Sequence, residues 1–346
     1  MHELLKQNQE IWDLFTRKEE YSPNELDKHG RFLLGEKNLV NASDPEASRY
    51  LINHGMQVKF PENKTFAVCL THDVDDIYPP LSHILLSSVQ YFKNLNFKDS
   101  AAQFLWKLKG KEYSPYLNLL KIMDLEASYG AKSSFYFIAT EADPIRFRYA
   151  VEDIEHHLKE ISARGWEVGL HGGYYSYNSL EAVKKEKKRL EIVLGKTVLG
   201  FRNHYLRFKV PDSWETLANA GFSYDSTFGY SNSIGFRNGM CHPFRPYNLS
   251  TGKEVDILEI PLVVMDVALF AGSKSLEEAW VRTKNLIDTT ASLKGIITLL
   301  WHNFVFSCGF RNDWVRLYEK VLQYCSSRGA WMTSGEEIYR WWGDGF

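Results

Sequence analysis

Two aspartates one residue apart, Asp73 and Asp75, close the apolar run in FAVCLTHDVDD. Alternate side chains share a side of a strand, so these carboxylates come together while His72 and Val74 point the other way. Like charges that close are relieved by a shared proton or a bound cation. A DxD alone reads equally well as a solvated strand end that caps a helix. Three further segments repeat the arrangement. GWEVGLHGGYYSYNS brings an apolar run to His171 and then a glycine pair that lets the chain turn. GFRNHYLRFKVP gathers Arg202, His204, Tyr205 and Arg207, and IITLLWHNF ends in Trp301, His302 and Asn303. If the four runs are parallel strands, these groups meet on one rim, as a metal site flanked by a general acid and base requires. Tyr205, Arg207 and Trp301 are then the residues expected to meet a substrate, although aromatics at strand ends pack as often as they bind.

The elements that must position these groups follow from periodicity. From about residue 64, short apolar runs alternate with longer amphipathic stretches, the pattern of βα units around a parallel sheet or barrel. Strands are expected at Phe66–Thr71, Ser134–Ile138, Glu167–Leu170, Val198–Phe201, Ile257–Ile260, Ile296–Trp301 and Ala330–Thr333. Helices are expected at Val151–Ala163, Ser179–Leu194, Ser275–Ser292, Asn312–Ser327 and Ser334–Trp342, with Ser179 as an N-cap and Gly195 as a stop. Residues 1–60 carry one amphipathic helix and the polar run SPNELDKHGR, and read as an extension packed on a core domain of residues 61–346. Residues 78–127 look helical and read as an insertion after the first strand, where insertions shape access to a site. Asp225, in GFSYDSTFGY, reads as a turn cap.

Composition narrows the partners. The 346 residues carry a formal charge of -2 and are 14% aromatic. A balance so near neutrality gives no field for a phosphate backbone, so nucleic acid is not expected. No segment has the run of about 20 apolar residues that a membrane span needs, and the charged start lacks a secretory apolar region, so a cytoplasmic protein is expected. Cys69, Cys241, Cys308 and Cys325 are scattered without a CxxC pair and read as buried thiols.

Taken in order, THDVD, GLHGGYY, FRNHY and LLWHN resemble the motifs of the polysaccharide deacetylases, carbohydrate esterase family four, also called the nodulation-factor deacetylase homology domain. The resemblance runs over roughly Phe66 to Trp342. It implies a distorted (β/α)7 barrel, here with an N-terminal extension and a helical insertion after the first strand. It further implies Asp73 as catalytic base, Arg202 as its brace, His302 as general acid and Tyr205 at the pocket border. Asp75 and His171 become ligands of one divalent metal ion, zinc before other first-row ions.

One departure stands out. The family's second motif supplies two histidines four residues apart, but the later position here is Tyr175. A phenol that holds its proton to a pKa near ~10 is a poor zinc ligand. His204, where the family has proline, is taken as the third ligand, against His242 in GMCHPFRPY and against a site that has lost its metal. The activity implied is removal of an N-acyl group, above all acetyl, from a carbohydrate or glycoconjugate precursor. Two other readings stay open: hydrolysis of a non-sugar C–N bond in a cyclic amide or ureide, and carbohydrate binding without catalysis at a degenerate site. A small, closed, arginine-lined pocket favours a compact anion, whereas aromatics over an open groove favour a sugar.

Overall fold

The computed structural model describes all residues except 24, 34, 36–40 and 346, so part of the 1–60 extension lies outside the described residues. The strands are β1 (Ala67–Val74), β2 (Ser134–Ile138), β3 (Glu167–Gly172), β4 (Gly200–Asn203), β5 (Tyr224–Asp225), β6 (Tyr247–Asn248), β7 (Lys253–Glu254), β8 (Leu258–Glu259), β9 (Leu262–Met265), β10 (Ile296–Leu300) and β11 (Trp331–Thr333). The α-helices are α1 (His2–Leu5), α2 (Gln9–Thr16), α3 (Glu46–Asn53), α4 (Leu81–Lys93), α5 (Phe97–Lys109), α6 (Leu119–Ser128), α7 (Glu155–Ala163), α8 (Leu180–Leu194), α9 (Asp212–Asn219), α10 (Asp266–Ala271), α11 (Leu276–Ser292), α12 (Asn312–Ser327) and α13 (Gly335–Gly345).

One sheet runs in the order β8-β5-β4-β3-β2-β1-β10-β9, with β11 also beside β1. Every pairing in it is parallel. The sheet curls into an incomplete barrel, a distorted (β/α)7 architecture. β2 and β11 share one edge of β1: Ala67–Cys69 pair with β11, and Thr71–Val74 pair with β2. Parallel strands with helical crossovers place all the strand C-termini on one rim, so Asp73, His171, Arg202 and His302 are collected there by topology alone.

Local chemistry sets the element ends. Ser179 caps α8 by accepting from Ala182 N, and Gly195 stops that helix at φ 74°, where an L side chain is disfavoured. β2 is buried along its whole length, as a strand covered on both faces must be. β5 and β9 lie outside the expected strands, because two and four residues are too few to show a period. The N-terminal region holds α1, α2 and α3 where one helix was expected. Trp12, Phe15 and Leu51 from these helices share a buried cluster with Leu170 and Phe201. Asp225 ends β5, fully buried, where its Oδ1 accepts from Thr227 Oγ1 at 2.6 Å, and burial pushes its carboxyl up to about 6. All four cysteines are buried and free, and no helix among the described residues is long and apolar enough to cross a membrane.

Candidate active site

β1 delivers its aspartates as alternation requires. His72 turns behind the sheet, where Nδ1 meets Trp301 O at 2.6 Å and Nε2 meets Glu126 Oε1 at 2.8 Å. Asp73 and Asp75 face the rim. His171, in β3, has Nδ1 2.9 Å from Arg202 O. A carbonyl only accepts, so Nδ1 carries the proton and the Nε2 lone pair looks into the cleft. That Nε2 is 3.2 Å from Asp75 Oδ1 and 3.6 Å from Asp73 Oδ2.

His204 joins from the segment after β4. Its Nδ1 is 3.1 Å from His171 Nε2 and 3.4 Å from Asp75 Oδ1, while Nε2 faces Asp143 Oδ2 at 3.5 Å. Tyr205 and Leu206 follow in the left-handed region at φ 61° and 51°. Such backbone costs about 1–3 kcal/mol per non-glycine residue and persists where the surroundings enforce it. Here Arg31 Nη1 donates to Tyr205 O at 2.8 Å. Tyr175, by contrast, is 57% exposed and points to solvent. The position four after His171 is therefore empty of a ligand, and His204 stands in the cleft.

The chemistry of the donors fits a cation. Asp75, His171 and His204 offer ligand atoms all within 4.8 Å of one another. Asp75 Oδ1 is buried without a hydrogen-bond partner. With Asp143 facing Nε2, the proton of His204 is drawn to that nitrogen, so the two imidazoles turn lone pairs toward each other and toward a carboxylate, which a divalent ion satisfies. Burial opposes the charge on Asp75, yet positive charge on the neighbouring imidazoles, His204 first, holds its carboxyl well below the usual carboxylate range, a role that a cation between neutral rings would take over.

Two further pairs flank the triad. Arg202 is fully buried, with Nη1 3.5 Å from Asp73 Oδ1 and Nη2 donating to Ser226 Oγ at 2.9 Å. On the opposite flank His302 Nδ1 meets Asp266 Oδ1 at 2.7 Å, and its backbone N–H donates to Asp266 Oδ2 at 2.9 Å. Burial disfavours the charged ring, but Asp266 overrides it and His302 is pushed up to about 9. His302 Nε2 lies 3.8 Å from Asp75 Oδ2.

Asp73, Asp75, His171, His204 and His302 line a cavity of about 300 Å³ together with His29, Arg31, Arg148, Tyr205 and Met265. Its outer wall comes from the N-terminal region. Asp27 Oδ1 accepts from the backbone of His29 and Arg31, forming a turn at Gly30 with φ 72°. Asp27 also pairs with the Arg31 guanidinium at 2.6 Å. Arg148 bridges Asp76 and Asp143 at 2.9 and 3.1 Å.

Two expected substrate contacts do not reach this cavity. Trp301 is fully buried and donates through Nε1 to Trp314 O at 3.1 Å, because neighbouring residues on a strand face opposite sides and His302 takes the cleft. Arg207 does not line the cavity; its guanidinium donates to His29 O at 2.8 Å and Tyr174 O at 2.6 Å and covers the rings of Tyr174 and Tyr177. It clamps the N-terminal turn instead. Tyr205 is on the lining. His242 is remote from the triad, bonded to Ser48 Oγ and Lys294 O, and burial pushes it down to about 4.

Asp143, Arg148, Asp266 and the His29–Arg31 wall were not foreseen from the sequence. Asp266 carried the same signal as the others, a polar group after the apolar run LVVM, but Pro261 splits that run from the strand expected before it. Asp143 and Arg148 sit in a long loop after β2 where no periodicity points inward.

No family model matches the sequence, and neither does any curated protein. Solved structures do. A crystal structure described as a polysaccharide deacetylase from Mycobacterium smegmatis is 19% identical, with 82% of this chain and 92% of that one covered at a TM-score of 0.54. Puue allantoinase is 15% identical, with 93% and 98% covered at a TM-score of 0.56. With its strand order, its curled parallel sheet and these neighbours, the chain has the polysaccharide deacetylase fold.

Proposed function

We propose that this protein is a metal-dependent hydrolase that removes an N-acyl group, above all acetyl, from a carbohydrate or glycoconjugate. The observation that carries the reading is the placement of two differently partnered groups on opposite flanks of one ligand triad: Asp73 beside Arg202, and His302 beside Asp266. A pure binding site has no use for a base and an acid held apart in this way.

Asp75, His171 and His204 would hold the ion, zinc first among divalent metals. When bound there, it supplies positive charge that makes water a nucleophile near neutral pH and polarises the carbonyl oxygen. Asp73 takes the proton of the attacking water, and the Arg202 guanidinium fixes the orientation of that carboxylate. His302 holds its proton on Nε2, because Asp266 occupies Nδ1, and passes it to the departing nitrogen. Tyr205 borders the acyl and sugar positions. Arg31 and the strained segment it anchors keep His204 aimed at the triad.

A second reading has support of its own. The cavity is compact, with Arg31 and Arg148 on its lining and Tyr205 as the only tyrosine there among the described residues, which suits a cyclic amide or ureide. The likeness to an allantoinase agrees with that reading.

One assay separates the readings: metal-loaded protein given an N-acetylhexosamine conjugate, read by acetate release, beside allantoin, read by ring opening. Acetate release that disappears in Asp73→Asn with metal content retained supports deacylation. Ring opening without acetate release supports the second reading, and absence of both leaves the non-catalytic carbohydrate-binding reading in place.

A further inference from the structure

The helical hairpin α4–α5 is built inside out. Its inward faces bury Ser87, Ser88 and Gln103, at 0%, 7% and 3% exposure, beside Ile84 and Trp106. Its outward faces carry large apolar side chains: Leu81, Leu85, Val89 and Phe92 along α4, and Phe97, Phe104 and Leu108 along α5. These positions recur at helical spacing and form stripes rather than scattered exceptions. Leu95 at the tip is 76% exposed and Leu108 is 85% exposed. A helix pair built to face water does the reverse, and a contiguous apolar surface of this kind marks a contact with something else.

Charge says what covers it. From Leu81 to Lys109 the hairpin holds Lys93, Lys98, Lys107 and Lys109 against Asp99, a net +3, within a chain whose total is -2. All four lysines are exposed, and none forms an ion pair among the described residues. Two copies meeting through this face would set like charges against each other. An anionic bilayer accepts both features, since leucine and phenylalanine enter the acyl boundary while lysines reach the headgroups. Each 13-residue helix spans about 20 Å, short of the roughly 30 Å hydrocarbon core, so the hairpin lies in the interface rather than across it.

We propose that the α4–α5 hairpin is a monotopic docking element for an anionic lipid surface. It sits beside the site, because Gln103 Nε2 donates to Ser307 O at 3.5 Å and a Cβ at Gly309 would press on Ser87 O at 2.9 Å, on the segment that follows His302. The hairpin is thereby tied to the segment that leaves the strand end bearing His302.

Vesicle flotation tests this. The wild-type chain is expected to float with phosphatidylcholine vesicles containing phosphatidylglycerol, and far less with phosphatidylcholine alone or at high salt. A tip variant, Phe92→Ser with Leu95→Asn and Phe97→Ser, is expected to lose at least about tenfold of that partitioning at unchanged helix content and melting temperature. A charge variant, Lys93→Glu with Lys107→Glu and Lys109→Glu, is expected to lose the preference for anionic vesicles. The proposal is overturned if the wild type stays with the unbound fraction, or if the charge variant and wild type float alike. It is equally overturned if the wild type forms a concentration-dependent dimer that the tip variant abolishes, because a second copy then covers the face.

Discussion

Two strand ends of this barrel each present an imidazole backed by a carboxylate, and the pairs are built differently. After β10, Asp266 contacts both the ring and the backbone N–H of His302, at 2.7 and 2.9 Å. After β4, Asp143 stands 3.5 Å from the far nitrogen of His204, while the near nitrogen faces a second imidazole and a carboxylate. Asp143 is itself shared, since Arg148 draws on the same carboxylate oxygen. A close, two-point carboxylate stabilises a charged ring. A distant, shared one fixes a tautomer and leaves the lone pair for a cation. On the proposed function, one fold makes a proton donor and a ligand from the same side chain by the placement of the partner.

The contrast breaks most directly by removing the rings. His302→Asn is expected to lower turnover by roughly 10²–10⁴-fold with metal content retained, whereas His204→Ala is expected to lose metal and turnover together; equal metal loss in both, measured by elemental analysis after dialysis, would erase the distinction. The carboxylates sharpen it. Asp143→Asn is expected to weaken metal binding by about 10–100-fold in a chelator competition, with Asp266→Asn close to wild type in that measurement.

The pH profile then reads the other partner. His302 is raised to about 9 by Asp266, so the proposed proton donor is present through neutral pH and is lost as pH rises through that value. Without the Asp266 charge the ring titrates lower, and the alkaline limb of kcat/KM is expected to move toward neutrality in Asp266→Asn. An unmoved limb would mean that some other group limits the reaction at high pH. The smallest effect is expected at His242→Ala. That change should leave metal content intact and cost about 1–3 kcal/mol of stability, read by denaturant unfolding, because Ser48 and Lys294 lose a buried partner.

What the sequence made readable was the rim. Asp73, Asp75, His171, Arg202 and His302 each end an apolar run, and strand period with parallel topology is enough to bring them together. His204 was readable only as a departure, a histidine in the third motif of a chain whose second motif lacks one. The outward turn of Trp301 was also accessible, since the alternation that separates His72 from Asp73 separates Trp301 from His302. The carboxylates behind the imidazoles were not, because Asp143 lies in an aperiodic loop and Asp266 follows a strand too short to register. The inside-out character of α4–α5 was hidden as well: amphipathic spacing shows that a helix has an apolar face but not whether protein or something else receives it.

The Asp27–Arg31 turn closes one side of the cleft although it belongs to chain far upstream of β1. The width of the opening is therefore written in a part of the gene that encodes none of the reacting groups, and selection can widen or narrow it there while the barrel stays untouched. A chain trimmed to the barrel alone would inherit the reacting groups with a gap where Arg31 had stood, and Tyr205 would lose the tether that holds its strained backbone in place.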